Sequence, residues 1–414
     1  MKQKILLQKI LYKAWENNLF YKNRYSVDST IHNDPIEMLK NINILERDDI
    51  LNSENDIINI HYQKVLQKEL LVNLTSGTTG EPIKIYWDKN NSLRSHLALW
   101  RKREKYYGIT PTDKYCCLHT TTYSGSRVGN LEKIIYDSNK SSLSFCKLFF
   151  DEETILDYYN KMCDFSPKWL FIQPSFLIRF INVLEKNNLK LPSTIHYIEF
   201  AGETAVKHDY EIVHSHLSCN IANMYGSMET NGIAYECPNH HLHILSDNVF
   251  VECLDDYGIE TNCGRSIITS LNNFVFPLIR YNLGDIIKIN KHIQCEYSDE
   301  PVIEEIIGRQ KKAFISSENK ILSEDIIDYC IRKAISEFGN FLYQYLVEFK
   351  NTNTINIVIY IRKKFEKWTN NISNVIKENF NELYVLINVN IVYNYNYFTS
   401  TIPLKRTIVN KLEV

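Results

Sequence analysis

Between residues 91 and 224 the chain alternates two kinds of segment with a regularity that leaves few folds open. Residues 91–107, 151–163, 175–187 and 209–217 read as helices, whereas 115–119, 169–172, 196–200 and 220–224 read as short strands, the first of them buried. Helices alternating with strands that are apolar on both faces predict an α/β domain whose mostly parallel sheet is covered by helices. Ligands of such sheets bind beyond the carboxyl ends of the strands. At those ends stand Thr120-Thr121-Thr122-Tyr123-Ser124-Gly125, Gln173-Pro174-Ser175, Ala201-Gly202-Glu203 and Tyr225-Gly226-Ser227-Met228-Glu229. Polar and conformationally special residues at all four ends predict a site walled by these loops.

A fifth loop precedes them. Thr75-Ser76-Gly77-Thr78-Thr79-Gly80-Glu81-Pro82 lies between the apolar runs 70–74 and 83–87. Glycines at 77 and 80 let the backbone bring its N–H groups close to an anion, and the hydroxyls of residues 75, 76, 78 and 79 add donors, so the stretch suits phosphates. No Gly-Lys-Ser/Thr follows, so it is not the P-loop of the common NTPases. Taken alone it is also compatible with a glycine-bearing hairpin turn. Beyond residue 307 the pattern changes: a helix over 323–338, strands over 343–350 and 356–361, a helix over 365–380 and a strand over 383–393 predict a small α+β domain. The expected division is therefore 1–307 and 308–414.

Composition narrows the functional class. With 44% hydrophobic residues, 23% charged residues and a formal charge of -2, the chain reads as an ordinary globular enzyme. Its basic residues are scattered, so no footprint for nucleic acid is expected. The ten cysteines are irregularly spaced. No secretory apolar segment or bilayer-length run is present in the sequence, and reduced thiols, a cytoplasmic location and no membrane partner are expected.

Several stretches carry a family resemblance. Thr75 to Pro82 resembles the ATP loop of the adenylate-forming superfamily, the acyl-CoA ligases and related enzymes, in which Lys84 or its neighbour usually completes the run. Tyr225-Gly226-Ser227-Met228-Glu229-Thr230 resembles the superfamily motif of an aromatic residue, glycine and a closing glutamate. Pro277-Leu278-Ile279-Arg280-Tyr281-Asn282-Leu283-Gly284-Asp285 is similar to its ribose-binding motif.

The resemblance implies a large ATP- and acid-binding domain and a small mobile domain joined by a hinge, with ATP and Mg²⁺ as cofactors. It would place Thr75, Ser76, Gly77, Thr79 and Gly80 around the nucleotide, with Thr78 in a catalytic position. Gly202, Glu203, Gly226 and Ser227 would complete the nucleotide site, Tyr225 would stack on adenine, and Asp285 would accept hydrogen bonds from the ribose hydroxyls, as an acceptor-only group can. Glu229 would bind Mg²⁺, which takes a carboxylate or two together with phosphate oxygens. Ile307-Gly308-Arg309-Gln310-Lys311 resembles the hinge: Arg309 would touch the ribose, and Lys311 stands where many relatives have aspartate. Thr399 to Arg406 resembles the terminal motif, without its usual Ser-Gly, and would bring Lys405 to the substrate carboxylate and phosphate during adenylation. Tyr123, Gly125, Phe176, Gly202 and Tyr225 would line the acid pocket, which suggests an aromatic or planar acid.

Within the superfamily the resemblance is to the phenylacetate-CoA ligase and capsule-biosynthesis branch, through Ala201-Gly202-Glu203, Glu236-Cys237 with His243, and Pro277 to Tyr281. That branch implies a zinc-like set, here Cys237, His243 and Cys295, whose fourth member could be His240, His241, Cys253 or Cys263. The alternative is a group of buried thiols and surface histidines. The implied activity is formation of an acyl-adenylate and pyrophosphate from a small carboxylic acid and ATP, followed by transfer to a thiol such as coenzyme A. A carrier-protein thiol or an amine is the alternative acceptor, and Glu318, standing at a glycine position of the relatives, is a departure that would disfavour free coenzyme A. A degenerate nucleotide-binding protein is a further alternative, against which the retained Glu229, Asp285, Arg309 and Lys405 argue.

Overall fold

The computed structural model describes residues 2–24, 34–63, 70–74, 83–119, 134–137, 141–146, 152–203, 205, 207–309, 314–315, 321–322, 327, 330–331, 333–334, 337–338, 341–351, 354–361, 363–383, 388–395 and 407–409. They form two compact units, one of Met1–Pro111 with Ala222–Ile307, the other of Thr112–Ile221 with Gly308–Val414. The fold is α/β, with a large sheet flanked by helices and a smaller sheet near the C-terminus.

The first unit opens with the helix Lys2–Asn17, which buries Leu7, Ile10, Leu11 and Ala14 at i, i+3, i+4 and i+7. Its strands follow the order Val249–Leu254, Cys263–Ser270, Tyr281–Asn290, Val302–Arg309, Leu242–Ile244, Ala234–Glu236 and Asn220–Tyr225. Val251 pairs with Ile268, Ile268 with Tyr281, and Leu242 with both Ile303 and Glu236, all antiparallel. Strand Tyr281–Asn290 alternates buried residues with half-buried or exposed ones, as expected of a strand with one face on a core. That core includes Tyr21, Trp87, Phe276 and Ile303. The antiparallel strands Leu71–Leu74 and Lys84–Trp87 pair Leu74 with Lys84. Helix Lys89–Tyr107 starts at Asp88, whose carboxylate caps the N–H of Asn91 at 2.8 Å, and stops at Gly108 in the left-handed conformation.

The second unit holds the parallel ladder that the alternation predicts: Tyr197–Ala201, Trp169–Ile172, Tyr115–His119 and Ser142–Cys146, closed by the antiparallel edge strand Ile134–Tyr136. Every residue of Tyr197–Ala201 is buried, because helices cover both faces of such a strand. Trp169 sits at the centre of one layer, paired with Tyr115 on one side and Tyr197 on the other, its ring stacked on Tyr115 at 4.6 Å. In the C-terminal part the strand order is Asn388–Asn394, Thr354–Ile361, Leu342–Asn351, Thr407–Val409. Helix Thr369–Leu383 contributes Ile372, Ile376 and Phe380 to its core, and Ile327, Cys330, Ile331 and Ala334 add an apolar stripe at helical spacing. The ten cysteines are all thiols. Among the described residues no helix is long and apolar enough to cross a membrane.

Candidate functional site

In the first unit the end of strand Asn220–Tyr225 is held by its turn. Gly226 is obligatory there, since a Cβ would lie 2.1 Å from the carbonyl oxygen of Asn231. Asn231 donates to Ser227 O at 2.8 Å with a left-handed φ of 68°, and Ile233 N returns to Tyr225 O at 2.8 Å. The buried amide of Asn248 donates to the carbonyls of Thr230 and Gly232 at 2.8 and 2.6 Å, so the turn is fastened from below. Glu229 is thereby set in a fixed loop, 8% exposed.

Facing it is the start of strand Tyr281–Asn290. Gly284 takes φ 81°, which glycine adopts without strain, and Asp285 follows it, 7% exposed. The hydroxyl of Tyr225 donates to Asp285 Oδ2 at 2.6 Å, and that of Tyr281 lies 3.5 Å from Glu229 Oε1. Asn73, on the strand leading into residues 75–82, donates to the carbonyl of Met228 at 3.5 Å, so that strand adjoins the Glu229 turn. Three expected site residues, Tyr225, Glu229 and Asp285, are thus brought together. Tyr281 and Asn73 lie in stretches the sequence singles out, but no pattern there marks them as partners.

In the second unit Gly202 adopts φ 79°, and Glu203 accepts from Ser175 N at 3.3 Å and from the amide of Gln173 at 3.4 Å. The Glu203 carboxylate therefore sits against the first turn of helix Pro174–Lys186, where the orphan N–H groups and the helix dipole favour negative charge. Phe176 packs on the core of this unit with the Arg179 guanidinium over its ring. Thr75, Ser76, Gly77, Thr78, Thr79, Gly80, Tyr123, Gly125, Lys311, Glu318 and Lys405 lie outside the described residues, and Arg309 is described only as the end of strand Val302–Arg309.

A second cluster in the first unit gathers Cys237, His241, His243 and Cys295, whose ligand atoms all lie within 4.8 Å of one another. The fourth member is His241, and not His240, Cys253 or Cys263. Register decides this: strand Leu242–Ile244 pairs back on Ala234–Glu236, Cys237 N bonds His241 O at 3.0 Å, and alternation puts 241 and 243 on one face. His240 instead bonds Glu236 at 2.7 Å, and the Cys253 thiol is buried against Ile287 O. The donor set fits zinc. Two thiols stand 3.7 Å apart, close to the edge of about 3.8 Å that a tetrahedron of thiolates about 2.3 Å from zinc would have. His243 Nδ1 is engaged by the carbonyl of Glu300 at 3.0 Å, which leaves the lone pair on Nε2, and burial holds the ring below the ordinary histidine range. Among the described residues, His243 Nε2 and His241 Nδ1 are buried without a hydrogen-bond partner. Elsewhere burial pushes the Cys219 thiol up to about 12 and that of Cys253 to about 11, so neither is an activated nucleophile.

No protein-family model matches the sequence. Among solved structures, 2-hydroxyisobutyryl-CoA ligase in the postadenylation state, in complex with an acyl-AMP, superposes with a TM-score of 0.70 at 15% identity, covering 99% of this chain and 89% of that one. The chain has the adenylate-forming enzyme fold. A second structure with this fold, the anthranilate CoA ligase AuaEII in complex with anthranoyl-AMP, gives a TM-score of 0.54 at 12% identity over 82% of this chain and 66% of that one. In sequence the chain is similar to Protein CapK of Staphylococcus aureus, 23% identical over 341 residues that span 80% of this chain and 71% of that protein.

Proposed function

We propose that this chain activates a small carboxylic acid with ATP and transfers the acyl group to a thiol such as coenzyme A. The observation that carries the reading is the joining of Tyr225 to Asp285 beside Glu229, at a turn that adjoins the strand leading into the hydroxyl- and glycine-rich stretch 75–82. An aromatic ring bonded to a carboxylate suits the base and ribose of one nucleoside, and the solved ligases of this fold were captured with acyl-AMP.

The first step is attack of a carboxylate oxygen on the α-phosphorus of ATP. A P–O bond forms, the bond to pyrophosphate breaks, and the product is an acyl-adenylate. In the second step the acceptor thiol attacks the acyl carbon and AMP leaves. Chemistry of this kind needs positioning and charge neutralisation, with no nucleophile and base of the protein's own. The hydroxyls and N–H groups of Thr75, Ser76, Gly77, Thr78, Thr79 and Gly80 hold the phosphates, Asp285 holds the ribose, and Arg309 meets it at the hinge. Glu229 would hold Mg²⁺, which supplies positive charge against the triphosphate when bound. Lys405, carried by a mobile domain 308–414 that turns near Lys311, neutralises charge during adenylation. Tyr123, Gly125, Phe176, Gly202 and Tyr225 are the residues assigned to the acid, and their types suit a planar one.

The Cys237, His241, His243 and Cys295 cluster would hold a structural zinc ion, since four protein ligands close the coordination shell and leave no position for substrate. The functional reading is tested by acid-dependent exchange of labelled pyrophosphate into ATP over a panel of aryl, fatty and amino acids. Exchange with an aryl acid and not with the others is the expected result; exchange with none of the acids would sink the proposal.

A further inference from the structure

Two segments far apart in sequence exchange tyrosine hydroxyls crosswise. Tyr225, beside the Glu229 turn, donates to Asp285 on the facing strand, and Tyr281 at the start of that strand reaches back toward Glu229. We infer that Tyr281 is a positioning residue for Glu229, holding the carboxylate in the orientation in which it takes the metal ion. This deepens the proposed function and rests on the assignment of Glu229 to Mg²⁺.

The two partners differ in how they are fixed. Tyr281 is 3% exposed and its backbone is locked on both sides, with Leu45 N bonded to Arg280 O and Asn282 N bonded to Leu45 O, both at 2.9 Å. The preceding Arg280 holds a left-handed φ of 50° and is clamped by its guanidinium, which meets the Glu252 carboxylate at 2.9 and 3.1 Å and the carbonyl of Ile42 at 2.6 Å. A residue in that conformation persists only where its surroundings over-determine it. Glu229 sits on a fastened turn but carries its carboxylate at the end of a longer side chain with several rotatable bonds. Orientation therefore passes from the rigid tyrosine to the carboxylate, and a phenolic hydroxyl can do this without changing the charge offered to the ion.

Removing only that hydroxyl should weaken metal binding while leaving nucleotide binding intact once metal is saturating. The test titrates Mn²⁺ into the full-length protein with a nonhydrolysable ATP analogue, following the free ion by electron paramagnetic resonance, for wild type, Tyr281→Phe, Glu229→Gln and the double variant. Tyr281→Phe should raise the half-saturating metal concentration about fivefold to tenfold, with an unchanged melting temperature and unchanged analogue affinity at saturating metal. In the double variant the tyrosine substitution should add nothing to Glu229→Gln, because coupled residues are not additive. If Glu229→Gln weakens metal binding while Tyr281→Phe does not, or the two effects simply add, Tyr281 has no positioning role. If Glu229→Gln itself leaves metal binding unchanged, the assignment of Glu229 to the ion fails, and the inference with it.

Discussion

The hydroxyl of Tyr225 donates to Asp285 Oδ2 at 2.6 Å, joining the end of one strand to the first turns of another across 60 positions of sequence. A hydrogen bond to a nearly buried carboxylate is short and directional, so Tyr225 sets the orientation of Asp285 as well as offering a ring face.

Tyr225→Phe keeps the ring and removes this bond. ATP affinity in pyrophosphate exchange should fall about tenfold, with kcat at saturating ATP close to wild type. Asp285→Ala should lose more, since it also removes the acceptor proposed for the ribose. An unchanged KM for ATP in Tyr225→Phe would show that the bond does not orient Asp285 for the nucleotide.

The proposed zinc site at Cys237, His241, His243 and Cys295 makes a prediction about neighbouring histidines. Purified protein should contain one zinc per chain, His241→Ala and Cys295→Ser should lose it, and His240→Ala should keep it. Chelation should lower the melting temperature, because a closed four-ligand site contributes folding free energy. Elemental analysis and a thermal scan with and without chelator decide the matter: metal-free protein of full stability, or loss of zinc on His240→Ala, would remove the assignment.

Lys405 tests the proposed alternation of the small domain. If Lys405 serves adenylation and moves away before transfer, Lys405→Ala should lose pyrophosphate exchange by orders of magnitude and keep transfer from a preformed acyl-adenylate within a few-fold. Equal loss in both half-reactions would count against domain alternation in this chain.

Much of the fold is written in local pattern. Strands Tyr115–His119 and Trp169–Ile172 match the expected runs residue for residue, because a short, mostly apolar run bounded by turn residues marks a strand of a helix-covered sheet. Shorter strands escape such reading: Ile134–Tyr136 and Leu242–Ile244 have three residues each, too few for any periodicity. The chemical vocabulary of the site was equally local, since Tyr225, Glu229 and Asp285 stand in short motifs whose residue types state what each can bind. Their partnerships were not local. Nothing in the sequence pairs Tyr281 with Glu229 or Tyr225 with Asp285, because these contacts depend on how distant strands are placed. The fourth member of the cysteine–histidine cluster is likewise a choice among four residues in the sequence, and the register of Leu242–Ile244 on Ala234–Glu236 decides it by turning His241 toward Cys237 and His240 toward Glu236. Side-chain identity sets what a residue can do, whereas strand register, in which a shift of one residue reverses every face, decides which residues meet.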